Sequence, residues 1–339
     1  MKRDYSKAIF YLPRDTTAKA LGAQAVEKKL KSRGIEPIRN GSRGMFWLEP
    51  LLEVAVGNQR VAFGPVSPED VDCLVEALRK DNAEAHPLYL GPVDKIEYLA
   101  NQQRLTFARA GHGDPLCLDN YESLHGFNGL RNALEMSSQD IVNHIKDSGL
   151  RGRGGAAFPT GIKWQTVLDQ PEQQKYIVCN ADEGDSGTFA DRLLMEADPY
   201  QLIEGMTIAG IAVGATQGYI YLRSEYPAAL EVLNIAIERS HVAGFLGADI
   251  CGSGRTFHLE VRLGAGAYIC GEETSLLESL EGKRGTVRYK PPLPAIQGLF
   301  GMPTVVNNVL TLAAVATVLD RGSEYYKDFG MGRSRGTLV

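Results

Sequence analysis

The chain is organised around the segment Ser148-Gly-Leu-Arg-Gly-Arg-Gly-Gly-Ala-Ala-Phe-Pro-Thr-Gly-Ile-Lys-Trp164. Its five glycines allow the backbone to approach a ligand closely, and its two arginines and one lysine favour an anionic ligand. Backbone N–H groups beside Arg or Lys suit phosphates, because fixed dipoles and charges act together. Phe158 adds an aromatic face on which a flat ring can stack. We interpret the segment as a nucleotide-binding loop that holds a phosphate and a ring.

The glycine spacing by itself leaves an alternative open. Gly152, Gly154 and Ala157 fit the dinucleotide pattern G-x-G-x-x-G/A, but that pattern should follow a strand and open a helix. Residues 140–146, just before the loop, have a helical pattern instead. The C-terminus of a helix followed by a flexible surface loop would explain the glycines equally well. The segments further along the chain favour the first interpretation.

Length and composition set the class of protein. The chain has 339 residues, of which 44% are hydrophobic and 23% charged, with a formal net charge of −5. These values are ordinary for a globular protein with room for two domains. No apolar run approaches the roughly 20 residues of a membrane span, and the N-terminus lacks the apolar core of a signal peptide. We expect a cytoplasmic protein with neither a nucleic-acid nor a membrane partner.

The cysteines do not form a metal-binding pattern. None occurs in a C-x-x-C, and none has a histidine at ligand spacing, which argues against a zinc or iron–sulfur site held by this chain alone. Disulfides are not expected without a secretion signal. We expect five small buried apolar residues: Cys73, Cys117, Cys179, Cys251 and Cys270.

The first 81 residues predict a thioredoxin-like domain. The predicted strands are 8–12, 36–39, 51–56 and 60–63, and the predicted helices are 17–33 and 67–79. This order is a β-α-β unit followed by a hairpin and a closing helix. Such domains can hold a redox cysteine pair or a two-iron cluster, but the one cysteine here is Cys73. We therefore predict a scaffold or docking domain without cluster ligands.

Residues 82–128 show no sustained hydrophobic period and contain turn-forming pairs such as Gly91-Pro92. This pattern predicts a linker that lies on the surface of the second domain.

From residue 129 onward strands alternate with helices, which predicts a mostly parallel sheet covered on both faces. A strand at 176–179 runs into Asn180-Ala-Asp-Glu-Gly-Asp, at the strand end where open α/β sheets bind ligands. A strand at 257–262 leads into Gly264-Ala-Gly-Ala-Tyr-Ile-Cys-Gly-Glu-Glu-Thr and then a helix. The alternatives are a solvated turn and acidic residues that only complement a helix dipole. Three such loops in one domain favour a shared nucleotide or flavin site.

Four motifs resemble those of one known family: Gly152-Arg-Gly-Gly-Ala-Ala-Phe-Pro-Thr-Gly-Ile-Lys-Trp, Asn180-Ala-Asp-Glu, the Gly264 loop, and Asn307-Asn-Val. They resemble the FMN- and NADH-binding flavoprotein subunit of respiratory complex I. That family includes the diaphorase subunits of soluble hydrogenases and of NAD-dependent formate dehydrogenases. The resemblance covers about residues 129–322. Residues 39–50 of the first domain look most like the β subunit of the molybdenum formate dehydrogenase.

The resemblance implies an α/β fold: a thioredoxin-like domain over 1–81, a linker over 82–128, and a Rossmann-like FMN- and NADH-binding domain over 129–339. The implied FMN-binding residues are Gly152, Arg153, Gly154, Lys163, Asn180, Asp182, Glu183, Tyr268, Gly271, Glu272, Glu273, Val306, Asn307 and Asn308. The implied NAD-binding residues are Phe158 (against the adenine), Asp185, Glu273 and Lys290. Because hydride passes directly between nicotinamide and flavin, no catalytic side chain is expected.

The resemblance also implies partners. These are a 2Fe-2S thioredoxin-like subunit and a molybdenum/iron–sulfur catalytic subunit, which exchange electrons with FMN. The family continues into a ubiquitin-like domain and a helical domain with a C-x-x-C-x-x-C four-iron site, and neither occurs before Val339. We therefore expect a truncated subunit, with a 4Fe-4S cluster only in the absent C-terminal region. NAD is favoured over NADP, because the motifs place no arginine for a 2′-phosphate.

The sequence departs from the family pattern at four positions. Ala157 stands where the family has glycine, Asp185 where it has glutamate, Leu293 where it has an aromatic ring, and Leu310 where it has an acidic residue. Within the family, the alternatives are a diaphorase of an NAD-reducing hydrogenase and a complex I flavoprotein subunit. The alternative from another class is a redox-inactive nucleotide-binding scaffold.

Overall fold

The computed structural model describes residues 8–57 and 59–336. These residues form two compact units. The first contains the described residues up to Arg104 together with Ala108–Asn120, and the second contains Leu105–Phe107 and the described residues from Tyr121 onward. Each unit has its own four-stranded sheet.

The first unit contains an antiparallel sheet whose strands are adjacent in chain order. The strands are β1 (Ile9–Tyr11), β2 (Leu52–Val56), β3 (Gln59–Phe63) and β4 (Tyr89–Pro92). The helices are α1 (Thr16–Ala20), α2 (Ala23–Ser32), α3 (Asp70–Arg79) and α4 (Glu97–Ala100), and α5 (Leu118–Ser123) follows along the chain. One apolar core, which includes Leu30, Val54, Phe63 and Leu74, packs the helices against the sheet.

The order of elements predicted for the first domain is found, with two local differences. The predicted helix 17–33 is interrupted at Gly22. This glycine has a left-handed φ of +103° and is the N-cap residue of the second helix, α2. The predicted strand 36–39 makes only one parallel bridge, between Tyr11 and Ile38. The predicted hairpin turn includes Asn58, which lies outside the described residues.

The prediction that 82–128 is a linker on the second domain differs from the structure. Strand β4 lies inside that range and pairs with β3, with Val61 opposite Pro92 and Ala62 opposite Gly91. Most of the range belongs to the first unit. The Gly-Pro pair suggested a turn, but proline is tolerated on an edge strand, where its missing N–H faces no neighbour.

The second unit contains a parallel sheet in the spatial order β7-β6-β5-β8, where β5 is Tyr176–Ala181, β6 is Gln217–Leu222, β7 is His258–Leu263 and β8 is Thr304–Asn308. Its helices are α6 (Asn128–Leu134), α7 (Ser138–Asp147), α8 (Thr160–Leu168), α9 (Ala190–Ala197), α10 (Pro199–Val213), α11 (Pro227–Val242), α12 (Glu273–Leu280), α13 (Val309–Arg321) and α14 (Ser323–Lys327). A short hairpin, β9 (Gly330–Met331) and β10 (Ser334–Arg335), follows. The prediction of a mostly parallel sheet with alternating helices is confirmed.

The register of this sheet brings distant parts of the sequence together. Asn180, near the carboxyl end of β5, pairs with Asn308 at the end of β8. On the other side, Asn180 pairs with Tyr221 of β6. Because all four strands are parallel, the loops that follow them emerge at one edge of the sheet.

Helices α10 and α13 form the centre of the second unit. Every residue of α10 is buried, and Gly205 lies so close to α13 that an added Cβ would be 1.9 Å from the carbonyl oxygen of Leu312. Among the described residues, no helix combines the length and the apolar character needed to cross a membrane.

The expectation that all cysteines are buried is wrong, since Cys73 and Cys251 are exposed and only Cys179 and Cys270 are fully buried. Cys73 faces solvent on α3, and Cys251 lies in a turn.

Candidate functional site

Two adjoining clefts open at the carboxyl ends of the parallel strands. We call them the Phe158 cleft, of about 520 Å³, and the Asp182 cleft, of about 710 Å³. Both volumes suit a small-molecule ligand, for which about 300–1,000 Å³ is typical. The clefts share five wall residues: Gly154, Asn180, Gly271, Glu272 and Asn308.

Every residue that the sequence predicted for the site lies in the wall of one or both clefts. In addition to the shared five, the Phe158 cleft contains Gly152, Phe158, Lys163, Glu273, Lys290, Val306 and Asn307. The Asp182 cleft adds Arg153, Asp182, Glu183, Asp185 and Tyr268. The structure therefore brings together motifs that are separated by more than 100 residues in the sequence.

The glycine loop is folded back on itself. Gly152 N donates to Phe158 O at 2.9 Å, and Arg151 forms a bridge with Pro159 across the loop. Arg151 Nε also donates to Ala157 O at 2.7 Å. These contacts place the Phe158 side chain, 49% exposed, at the cleft wall. The loop follows α7, a helix, so the structure agrees that this is not the strand-turn-helix of a dinucleotide motif.

The loop leads into α8, which carries two side chains to β8. Lys163 Nζ donates to the carbonyl oxygen of Val306 at 2.8 Å and lies 3.5 Å from a carboxylate oxygen of Glu273. Trp164 is fully buried, and its indole N–H donates to Asn307 Oδ1 at 2.9 Å. The ammonium group of Lys163 thus supplies positive charge to the cleft wall.

The loop after β5 contains a buried acceptor without a partner. Asn180 Nδ2 donates to Gly271 O at 2.8 Å, and Asn180 Oδ1 accepts from Asp182 N at 3.1 Å. Asp182 Oδ2 is buried and has no hydrogen-bond partner in the described part of the chain. Burial raises the pKa of the Asp182 carboxyl, although the positive charge of Arg223 opposes the shift. Such a group indicates a ligand that donates a hydrogen bond.

Glu272 begins α12 and lies in a charged cluster. Its Oε2 accepts hydrogen bonds from Thr274 N at 2.8 Å and Ser275 N at 2.9 Å. Lys290 Nζ lies 3.0 Å from Glu272 and 2.8 Å from Glu273. Burial alone would raise the pKa of Glu272, but the hydrogen bonds from Thr274, Ser275 and Lys290 lower it to about 2. The Glu272 carboxylate is therefore ionised at neutral pH.

Tyr268 connects two of the predicted loops. Its hydroxyl donates to Asp185 Oδ1 at 2.5 Å, and its ring lies so close to Gly184 that a Cβ there would be 2.8 Å from the ring. The hydrogen bond to Asp185 raises the pKa of the Tyr268 hydroxyl. Both side chains are exposed at the Asp182 cleft.

Two of the predicted residues direct their charged groups to protein partners. The Arg153 guanidinium contacts the Tyr326 hydroxyl and the carbonyl oxygen of Arg335. The Glu183 carboxylate accepts from the backbone N–H groups of Asp191 and Arg192, at 3.0 and 3.1 Å, and so holds the start of α9. Both residues line the Asp182 cleft, but their charges already have partners there.

Asn308 connects the two clefts to a residue that the sequence did not single out. Asn308 Oδ1 accepts from Leu310 N at 2.9 Å and begins α13. Asn308 Nδ2 donates to Asp191 Oδ2 at 2.6 Å. Asp191 is 5% exposed and lines the Asp182 cleft. Nothing in the sequence signals this role, because an aspartate in the first turn of a helix is common.

A family described as "Nuo51 FMN-binding domain" matches residues 145–317, just over half of the chain. The matched range contains every residue that lines the two clefts. This chain belongs to that family. As a member of the NADH/FMN flavoprotein family of complex I and diaphorases, it binds FMN as its cofactor.

Several relatives of the FMN-binding family are similar over most of this chain. The NADP-reducing hydrogenase subunit HndC of Solidesulfovibrio fructosivorans is 47% identical over 238 residues, 70% of this chain and 48% of the relative. A subunit of the NADH-quinone oxidoreductase of Escherichia coli is 48% identical over 237 residues, 69% of this chain and 53% of the relative. The chain spans about half the length of the curated relatives it matches.

A solved structure is similar over nearly the whole chain. It is the crystal structure of an NAD⁺-reducing NiFe-hydrogenase in the H₂-reduced state. The superposition includes 98% of this chain and 57% of the hydrogenase chain, with a TM-score of 0.58 and 29% sequence identity.

The chemistry of the cleft wall fits FMN. The buried Asp182 Oδ2 needs a hydrogen-bond donor, which ribityl hydroxyls and flavin N–H groups provide. At Gly271 an added Cβ would meet Asp182 O at 3.6 Å and Asp182 Oδ2 at 3.9 Å, so a side chain would occupy the space in front of that acceptor. At Gly154 a Cβ would be 3.3 Å from Asn308 Cβ. Lys163 adds positive charge for a phosphate.

Proposed function

We propose that this chain is the diaphorase subunit of a soluble, cytoplasmic NAD-dependent formate dehydrogenase. In that role it transfers hydride between NAD(H) and FMN and exchanges electrons with iron–sulfur clusters. The observation that supports the proposal most is the meeting of four separate motifs at two adjoining clefts, within a family of FMN-binding domains.

FMN would be held by the residues that the two clefts share and by their neighbours. The backbone at Gly152 and Gly154, together with the Lys163 ammonium, would hold the phosphate. Asp182 would meet a hydroxyl or N–H donor, since its Oδ2 is buried without a partner among the described residues, and Asn180 lines both clefts near it. The other residues proposed to contact FMN are Arg153, Glu183, Tyr268, Gly271, Glu272, Glu273, Val306, Asn307 and Asn308.

NAD(H) would occupy the exposed side of the same site. Phe158 presents an aromatic face for the adenine, and Lys290 and Glu273 lie in the wall of the same cleft. Asp185 lies at the other cleft, where its carboxylate accepts a hydrogen bond from Tyr268. A nucleotide held by these residues would reach from the Phe158 cleft to the Asp182 cleft.

Bound FMN supplies the redox chemistry, because it accepts a hydride and releases single electrons. The residues of this chain align the two rings, exclude water and set the charge around the cofactor. The reaction requires no side chain as an acid or base for the hydride itself. We therefore name no catalytic residue.

Formate as the electron donor rests on the resemblance of residues 39–50 to the β subunit of molybdenum formate dehydrogenases. The partners would be a 2Fe-2S thioredoxin-like subunit and a molybdenum/iron–sulfur catalytic subunit. The relatives' names favour two alternatives, a hydrogenase diaphorase and a complex I flavoprotein subunit. Purification of the native complex and assay of NAD⁺ reduction with formate and with hydrogen distinguishes these sources of electrons.

A first test asks whether the chain is a diaphorase at all. After incubation with FMN and removal of unbound flavin, the purified chain should remain yellow and should reduce ferricyanide with NADH. Lys163→Met removes one of the two ammonium groups of the Phe158 cleft and should weaken FMN binding about tenfold. Lys327→Met, at an exposed lysine on α14 paired with Glu324, is the matched control and should bind FMN as the unaltered chain does. A colourless chain that takes up no FMN would support the redox-inactive scaffold instead.

A further inference from the structure

Asp191 is a buried acid in the cleft wall that the proposed function does not use. It is the second residue of α9, is 5% exposed and lines the Asp182 cleft. Its Oδ2 accepts a hydrogen bond from Asn308 Nδ2 at 2.6 Å. Within residues 8–57 and 59–336, no Lys, Arg or His nitrogen lies within 4.0 Å of its carboxylate. A buried carboxylate without a cation is unusual, because burial penalises the charge.

One group that faces Asp191 is a second carboxylate, and the other two are a thiol and an amide. The Glu183 carboxylate, held by the backbone N–H groups of Asp191 and Arg192, is the charge that acts on Asp191. From β5, the fully buried thiol of Cys179 also faces it. From β8, the neutral amide of Asn308 completes the surroundings.

The nearby arginines are directed elsewhere. The guanidinium groups of Arg192 and Arg223 lie over the ring of Tyr226, at 5.8 and 5.1 Å from its centroid. Helices α10, α11 and α13 pack against α9, and none of them contributes a charge that acts on Asp191 among the described residues. Burial, with a smaller effect of the Glu183 charge, raises the pKa of Asp191 to about 8. The carboxyl group is therefore mainly protonated at pH 7.

We propose that Asp191 is a positioning residue whose buried carboxyl group fixes the Asn308 amide and sets the charge of the wall that faces the anionic cofactor. This inference rests on the proposed function. The Asn308 amide is held at both ends, by Leu310 N at 2.9 Å and by Asp191 at 2.6 Å. Loss of the Asp191 proton places a second carboxylate charge beside Glu183, in the Asp182 cleft that adjoins the proposed phosphate site at Gly154. FMN then binds more weakly.

The test measures the dissociation constant of FMN, by quenching of flavin fluorescence, between pH 7 and pH 9. A phosphate monoester is already doubly ionised above a pKa of about 6, so the ligand's phosphate does not titrate in this range. For the unaltered chain we expect affinity to fall about fivefold to tenfold as pH rises through 8, because one buried charge appears. Asp191→Asn stays neutral and keeps an acceptor for Asn308, so its affinity should remain at the low-pH value throughout.

Asp140→Asn is the matched control. Asp140 is also an acid in the first turn of a helix, α7, but it is exposed and lies outside both clefts. Its variant should keep the pH dependence of the unaltered chain. The inference is overturned if Asp191→Asn keeps that pH dependence, or if it folds normally and binds FMN weakly at every pH.

A second measurement does not need FMN. The infrared carbonyl stretch of a protonated carboxyl group is recorded on the cofactor-free chain at pH 7 and pH 9.5. Glu49 in the first unit has a pKa of about 8 as well, so the chain carries Glu49→Gln. A carboxyl band that disappears on raising the pH, and that the additional Asp191→Asn substitution removes, supports a protonated Asp191; a spectrum without such a band refutes it. If FMN fails to bind the unaltered chain, the proposed function fails, while this band still decides the state of Asp191.

Discussion

Ala157 shows how one methyl group affects the glycine loop. Its φ is +50°, in the left-handed region where an L-residue is strained by about 1–2 kcal/mol. Glycine at this position removes the strain but makes the unfolded chain more flexible, at a cost of about 0.4–1 kcal/mol. An alanine at this position therefore costs the folded state energy at the edge of the clefts.

Ala157→Gly should raise the free energy of unfolding by about 0.5 kcal/mol, the difference between these two effects. Urea denaturation followed by circular dichroism measures it. Ala156→Gly is the control, because Ala156 has no positive φ, and it should lower the free energy of unfolding by about 0.5–1 kcal/mol. If both variants are equally destabilised, the left-handed backbone conformation of Ala157 does not lower the stability of the folded state.

Glu49 is a buried acid in the first unit. Burial, with the charges of Asp15 and Glu53, raises its pKa to about 8, although hydrogen bonds from Leu51 N and Ser42 oppose the shift. The unfolded chain has the ordinary pKa of about 4.3. Between these values the folded state binds more protons than the unfolded state, so stability falls as pH rises from about 4.5 to 8 and then levels off.

Glu49→Gln should remove part of that loss. Relative to the unaltered chain, its free energy of unfolding should be higher by roughly 5 kcal/mol at pH 9, with the gain shrinking toward pH 5. Some pH dependence should persist, because Asp191 titrates in the same window. Denaturation at pH 5, 7 and 9 measures this. Glu76→Gln, at an exposed residue whose pKa is lowered by the hydrogen bond to Lys80, should keep the original dependence.

At the scale of elements, polar caps fix the helices that border the clefts. Glu272 begins α12 by accepting from Thr274 N and Ser275 N, and Asn308 begins α13 by accepting from Leu310 N. The same side chains line the clefts. Residues that define where these helices start therefore also define the shape and charge of the site.

Glu272→Ala should lower the free energy of unfolding by about 1–2 kcal/mol, because it removes the acceptor for two backbone N–H groups. Glu273→Ala is the matched control at the next position. Glu273 pairs with Lys290 and Lys163 but does not cap the helix, so its loss should cost about 0.5 kcal/mol or less. Thermal or urea unfolding measures both. Equal losses in the two variants would contradict a capping role for Glu272.

At the scale of the whole molecule, all wall residues of both clefts belong to the second unit. A chain that starts at residue 105 contains that entire unit. We expect it to fold and to bind FMN with an affinity within about threefold of the full chain, as an independent domain would. Fluorescence titration of both chains measures the affinity. A folded fragment that binds no FMN would show that the first unit is required.

The sequence by itself determined the parallel sheet and the thioredoxin-like order of the first elements, and every residue it predicted for the site lies in a cleft wall, although the walls contain others, such as Asp191, that it did not signal. These rest on local signals: hydrophobic periods, and glycine and carboxylate motifs that follow strands. Strand β4 was missed because Gly91-Pro92 is a turn signal unless the strand lies at an edge, and edge position is not a local property.

Only the tertiary structure decided which charged side chains are available to a ligand and which are bonded within the protein. Arg153 and Glu183 are charged residues within the binding motifs. In the structure, however, their charged groups form hydrogen bonds with the hydroxyls of distant residues, Tyr326 and Tyr226. Asp191 is an ordinary helical aspartate in the sequence, and it becomes a buried acid because β8 places Asn308 against it. Burial and partnership depend on contacts between residues far apart in the chain, and the pKa of a group follows from them.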